Sequence, residues 1–195
     1  MRLSSYGSCA RRSQRAFVHL TRALGAELDD VGKVSLRRPS FFGRPFLRFA
    51  HSLLRGPSQW SVGERELFAA VVSGANSCQF CLGTHGEIAA KELGRDALAR
   101  LEQGRFSPRA AAAAAFVEAL TRDPNSVTAA HVEQARAAGV EHDALAEAIY
   151  VAFMFNLINR VADALGFEHR SGRDRRRGAE VLRRLGYRLP AVLLR

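Results

Sequence analysis

From residue 13 to residue 165 the apolar side chains recur at helical spacing, and no clean two-residue alternation of a strand appears. This pattern predicts an all-α chain of about six to eight helices. Gly and Pro divide the pattern into segments. The spacing predicts helices over 13–28 and 40–54, the latter with a wide apolar face (Phe41, Phe42, Phe46, Leu47, Phe49, Leu53, Leu54) interrupted by Pro45. Ser61-Val62-Gly63-Glu64 is a capping-box pattern, in which hydroxyl and carboxylate satisfy the orphan N–H groups of a helix start. It opens a helix to about residue 75. A second helix follows over 78–93, ended by Gly94, and a short one lies within 94–104. Ser107-Pro108 starts the next, because proline in the first turn misses no hydrogen bond. Its Ala110–Ala115 run permits close helix approach, although it is also simply good helix-forming sequence. Helices over 127–138 and 141–165 complete the pattern, the last apolar on more than one side and therefore central or at an interface.

Charge is distributed unevenly along the 195 residues. The net charge is +10, from 29 basic and 19 acidic side chains, and Lys33 and Lys91 are the only lysines. Residues 1–60 carry +8, residues 168–195 carry +6, and the segment between them carries −4. A nucleic-acid-binding domain more usually places its charge on the folded body, so nucleic acid is not the expected partner. The chain is expected to comprise a basic N-terminal extension (1–39), a helical domain (40–167), and an Arg-rich C-terminal part (168–195) made of a solvated linker over 168–178 and an amphipathic segment. No uninterrupted apolar run reaches the ~18–20 residues of a membrane span. The N-terminus lacks the apolar core of a signal peptide, and Arg11-Arg12 is not followed by a hydrophobic stretch. Three cysteines, Cys9, Cys78 and Cys81, are too few for a disulfide scaffold, and a cytoplasmic protein is the default.

Chemistry concentrates in residues 66–85. Cys78 and Cys81 form C-x-x-C, and His85 lies four residues beyond. If Cys78 opens a helix, all three share one face. Both thiols then sit in the first turn, where free N–H groups and the helix dipole favour a thiolate, the nucleophilic form. His85 stands one turn below Cys81, placed to take or hold its proton. The second cysteine can convert a sulfenic acid into a disulfide and so prevent over-oxidation. Glu66 sits twelve residues before Cys78; in a helical hairpin its carboxylate faces His85, orients the ring and stabilises its charged form. The dipole argument selects Cys78 as the reactive thiol, whereas the link to His85 selects Cys81. A zinc site would need a fourth ligand, for which His51 or His131 would have to serve, and a thioredoxin fold would need strands. Cys9 has no partner in its neighbourhood and is read as incidental.

At these residues the chain resembles the AhpD-like alkylhydroperoxidase family of the carboxymuconolactone decarboxylase superfamily. The text E-R-E-L-F-A-A-V-V-S-G-A-N-S-C-Q-F-C-L-G-T-H-G carries the family's spacing at Glu66, Cys78, Cys81 and His85. The stretch F-N-L-I-N-R-V-A-D-A-L-G over 155–166 is similar to the closing helix of the peroxidase-related subgroup. The resemblance spans roughly residues 40–167 as a domain-level estimate. It implies thiol-dependent reduction of hydroperoxides with no metal and no cofactor, in a homo-oligomer, trimeric or hexameric. It also implies regeneration by a dithiol protein, lipoyl-bearing or thioredoxin-like, with Cys81 attacking, Cys78 resolving and Glu66–His85 relaying protons. One position departs: some members carry a histidine just before the second cysteine, and here Phe80 stands there, so a relay must run through Glu66, His85 and water. Two other readings exist. One is a decarboxylase- or isomerase-type activity on a lactone, against which the cysteine pair argues. The other is a non-enzymatic redox-sensing interaction protein. In all of these the chemistry is expected in the middle of the chain and not in its basic ends.

Overall fold

The computed structural model describes residues 11–23, 28–169 and 172–194. Among them are ten α-helices and no strand: α1 (Arg12–Ala23), α2 (Asp30–Arg37), α3 (Arg44–Arg55), α4 (Val62–Ala75), α5 (Gln79–Leu93), α6 (Ala97–Glu102), α7 (Pro108–Arg122), α8 (Ala129–Ala137), α9 (His142–Leu165) and α10 (Gly172–Leu185). The all-α expectation holds, with more helices than the six to eight anticipated. The extra ones are α2 and α10. Asp29 caps α2 by accepting from the Gly32 N–H at 2.7 Å. The segment 168–178, expected as a solvated linker, contains the start of α10. Pro45 does not interrupt a helix: a short π-helical turn (Pro39–Gly43) precedes it and it lies in the first turn of α3, where its missing N–H costs nothing. The helix expected over 13–28 is α1 as far as Ala23, and residues 24–27 lie outside the described residues, as does Cys9.

The centre of the molecule is the α4–α5 hairpin. Its start is the anticipated capping box: the Ser61 hydroxyl accepts from the Glu64 N–H, and a Glu64 carboxylate oxygen accepts from the Ser61 N–H at 2.8 Å. Its bend is made by Asn76 and Ser77, with Ser77 left-handed (φ +59°), a conformation a small polar residue tolerates better than a bulky one. The turn closes with the Cys78 N–H donating to the Ser73 carbonyl at 2.9 Å. Helices α7 and α9 pack against α4. Ala110, Ala113 and Ala114 are buried on α7, consistent with their small side chains letting the backbones approach. Trp60 joins α4 to α9: its indole N–H donates to the Ala144 carbonyl at 2.7 Å, and its ring meets Phe68 edge to face at 5.0 Å. Helix α9 is long and apolar enough to cross a membrane by length and composition, but half of its most apolar stretch is buried inside the protein, as a core helix is. It ends at Gly166, whose positive φ (+64°) closes the last turn.

The C-terminal residues lie against this centre. Helix α10 packs on α5. The acidic side chains of α5 meet its basic ones: Glu87 with Arg175 at 3.1 Å, Glu92 with Arg183 at 3.2 Å, and in the opposite sense Lys91 with Glu180 at 2.9 Å. Beyond α10 the chain returns over α3, and Leu193 and Leu194 are buried. The Leu193 carbonyl accepts from the buried Gln14 amide at 2.9 Å, and the Leu194 carbonyl accepts from Arg44 at 2.5 Å. The N-terminal helix and the C-terminal end are thereby fastened to each other.

Candidate active site

Cys78 is the N-cap residue of α5 and Cys81 lies in its first turn; both are free thiols and both are buried. The two are unequal. Contact with the Cys81 thiol draws the Cys78 thiol below its ordinary range; burial opposes the shift, and the Cys81 backbone N–H assists it. The exposed carboxylate of Asp163, on α9, opposes it as well. The same sulfur–sulfur contact, together with burial, pushes Cys81 well up. The contact therefore favours the thiolate form at Cys78 over Cys81, in the sense expected for a sulfur at a helix start.

Glu66 is completely buried on α4. Burial alone would raise its pKa; the His85 ring, Arg55 and Tyr187 together hold it below the usual carboxylate range. One carboxylate oxygen, Oε2, accepts from His85 Nδ1 at 2.6 Å. The other, Oε1, meets Arg55 Nη1 at 2.6 Å and accepts from the Tyr187 hydroxyl at 2.7 Å. With Nδ1 committed to Glu66, Nε2 of His85 is the nitrogen left for chemistry. The imidazole is held edge to face on Phe155 at 4.5 Å. Its hydrogen bonds among the described residues go to Glu66 and Tyr187, the latter at 3.4 Å, and none joins it to a thiol.

Arg55 ends α3 and is nearly buried, with its Nε and Nη2 lacking partners among the described residues. A buried cation of this kind is tolerable because Glu66 is beside it. Its neighbourhood is fixed by Arg65, whose guanidinium donates to the Leu53 and Gly56 carbonyls at 2.9 Å each and so closes the end of α3. The Arg55 guanidinium also lies over the Tyr187 ring, 4.9 Å from its centre.

Tyr187 arrives from the far end of the chain. Helix α10 stops at Leu185, Gly186 takes a left-handed conformation (φ +61°), and Tyr187 takes another (φ +66°). For a bulky residue this costs about 1–2 kcal/mol. A Cβ at Gly186 would press on Arg55 and His51 at 3.3 Å, so the turn suits glycine doubly. His51 pins it: Nδ1 donates to the Gly186 carbonyl at 2.6 Å, while Nε2 accepts from Arg188 at 2.7 Å.

A cavity of about 280 Å3 opens beside these groups. Cys81, His85 and Tyr187 line it, and the rest of its wall is overwhelmingly apolar, with Phe80, Phe155 and Leu182 among the contributors. Cys78 does not reach it. Phe80 serves as cavity wall, edge to face on Phe167 at 5.2 Å.

The four expected residues thus form two contacting pairs, Cys78–Cys81 and Glu66–His85, on one hairpin. Arg55 and Tyr187 were not anticipated. Nothing local marks either of them: Arg55 resembles any basic residue in a last helical turn, and Tyr187 is separated from Glu66 by 121 positions. His131 is engaged with Thr128 at the start of α8, and among the described residues no group of three or more His, Cys, Asp or Glu side chains is arranged to hold a metal.

The architecture is that of known peroxidase-related proteins. A peroxidase-related protein from a Silicibacter species superposes with a TM-score of 0.68 at 23% identity, covering 84% of this chain and 87% of that one. A peroxidase-related protein with an alkylhydroperoxidase AhpD core, from Ralstonia eutropha, superposes with a TM-score of 0.69 at 20% identity, covering 87% and 90%. No protein-family model matches the sequence, and no curated protein matches it either. The fold is therefore the AhpD-like helical fold of peroxidase-related proteins.

Proposed function

We propose that the protein is a thiol-dependent hydroperoxide reductase. The observation that carries this reading is the placement of one thiol of a C-x-x-C pair, Cys81, in an apolar cavity beside an imidazole that a buried carboxylate holds by its far nitrogen. The lower pKa of Cys78 and the cavity position of Cys81 favour different sulfurs. Access decides between them, because a thiolate that no cavity reaches cannot meet a peroxide. Cys81 is the attacking thiol. His85 accepts its proton at Nε2, the sulfur takes the nearer peroxide oxygen, the O–O bond breaks, and the departing alkoxide recovers the proton as an alcohol. Cys78 thiolate then attacks the sulfenic acid on Cys81, forming the disulfide and releasing hydroxide, which takes a proton to become water. Two thiols are oxidised and one hydroperoxide is reduced.

The apolar wall supports organic hydroperoxides over hydrogen peroxide as substrates. A dithiol protein, lipoyl-bearing or thioredoxin-like, returns the pair to the reduced state. A cytoplasmic setting, where thiols are kept reduced, goes with this reading. Trimeric or hexameric assembly, which the resemblance implies, belongs to the same reading.

Thiol titration before and after one equivalent of cumene hydroperoxide tests it. Loss of two thiols per chain, with Cys9 spared, is the expected outcome. Unchanged thiols, or wild-type oxidation in Cys81→Ser, would overturn the assignment.

A further inference from the structure

We propose that Tyr187 is a positioning residue for the Glu66–His85 pair: its phenol occupies the carboxylate oxygen that His85 does not use, and so sets how tightly the pair holds a proton. The inference deepens the hydroperoxide-reductase reading and rests on it for the rate measurement alone.

Three observations on Tyr187 converge. Its hydroxyl donates to Glu66 Oε1 at 2.7 Å and stands 3.4 Å from His85 Nδ1, so it touches both members of the pair. Its ring lies nearly parallel to the imidazole, at 13°, with the Arg55 guanidinium against it, which leaves the phenol little freedom to leave Glu66. Its backbone is the bulky exception among the left-handed non-glycine residues described, the others being Ser77 and Asp96. Strain of this kind persists where the surroundings over-determine it, and it clusters at functional sites. A phenylalanine would fill the same wall of the cavity and lose only the hydroxyl, which donates to Glu66 beside Arg55.

The physical consequence has a definite sign. A hydrogen bond to an ionised carboxylate favours the ionised form. With Arg55 and Tyr187 both on Oε1, the carboxylate has only Oε2 to offer the imidazole and cannot turn. The charged and titratable groups facing the pair among the described residues are Arg55 from α3, Arg65 from α4, Cys81 from α5 and Tyr187 itself, with Asp29 at the start of α2 lining the same cavity and His51 and Arg188 behind the turn. Burial keeps the Tyr187 phenol neutral far into the alkaline range, so it remains a donor throughout the working range. Removing that donor makes the pair hold its proton to higher pH.

The test is Tyr187→Phe in the full-length protein, with isotope-labelled histidine followed by NMR across pH. The titration midpoint of the His85 ring should rise by about one pH unit, a tenfold gain in proton affinity. Cumene-hydroperoxide-dependent thiol loss should fall about tenfold in kcat with KM nearly unchanged, since the cavity wall is kept. Replacing the chain's three tyrosines by 3-fluorotyrosine, whose hydroxyl is a stronger donor, keeps the fold and should move the midpoint the other way. An unmoved midpoint in both proteins overturns the proposal, even if the rate falls. A shifted midpoint in a protein without peroxidase activity upholds the role of Tyr187 and sinks the hydroperoxide reading instead.

Discussion

The α4–α5 hairpin and the C-terminal segment from α10 to Leu194 make opposite kinds of contribution to one site. The hairpin is apolar and locally determined: a capping box starts it, a short polar turn bends it, and Glu66, Cys78, Cys81 and His85 all come from its 30-odd residues. The C-terminal segment is basic and polar, and is joined to α5 by ion pairs between partly exposed side chains. The hairpin can place its four groups by helical geometry alone. The segment can place Tyr187 only because the rest of the molecule is already there to receive it. The four hairpin groups and the tyrosine that joins them thus have different structural origins.

Several substitutions would sharpen or break that division. The largest effect should come from Cys81→Ser, which is expected to abolish peroxide-dependent thiol oxidation, a loss of a thousandfold or more on the order of other nucleophile removals, with the melting temperature nearly unchanged. Retained turnover would move the attacking role to Cys78. Next is Glu66→Gln. It leaves Arg55 buried without its counter-charge, so unfolding in denaturant should show a loss of about 3–5 kcal/mol. A smaller loss would mean that the hairpin does not depend on the ion pair at its heart.

Acid stability reads the same group. Glu66 is held below the usual carboxylate range, so the stability it contributes is complete above about pH 4.3 and disappears as the pH falls through its folded value. Melting curves between neutral pH and pH 2 should therefore show an acid limb that is much weaker in Glu66→Gln. Trp60→Phe comes next: it removes the indole N–H that donates to the Ala144 carbonyl, which should cost about 1–2 kcal/mol by chemical denaturation while sparing the C-terminal contacts. The smallest effect should come from Glu180→Gln on α10. Its partners Lys91, Arg183 and Arg184 lie at the surface, where such pairs are screened by water and salt. The melting temperature should barely move, while amide exchange over 172–194 should accelerate, as it should in the parent protein at high salt. Protection that stays unchanged in both would show that buried contacts such as Gln14 to Leu193 hold the segment by themselves.

Much of the hairpin could be read from residues alone because each signal is local. Ser61 and Glu64 reach one another within a single helical turn, Pro108 fits a first turn, and Gly94 and Gly166 stop helices by adopting positive φ. The pairing of Glu66 with His85 followed from their spacing once a hairpin was assumed. The charge pattern was read correctly in amount and wrongly in meaning. The basic C-terminal end was set apart from the chemistry, yet it supplies Tyr187 to the buried carboxylate and several walls of the cavity. The −4 of the middle segment and the +6 of the C-terminal segment meet where α5 and α10 face each other.

Periodicity, caps and a four-residue spacing were enough to establish an all-α chain, the place of its central hairpin, and a thiol pair near a carboxylate-backed histidine. All of these depend on groups within a few helical turns of one another, where backbone geometry dictates distance. The places of Arg55 and Tyr187 beside Glu66, the inequality of the two thiols and the existence of the cavity came from packing. Each depends on side chains far apart in the chain, and their meeting is decided by how buried surfaces fit and by which charges are left without water.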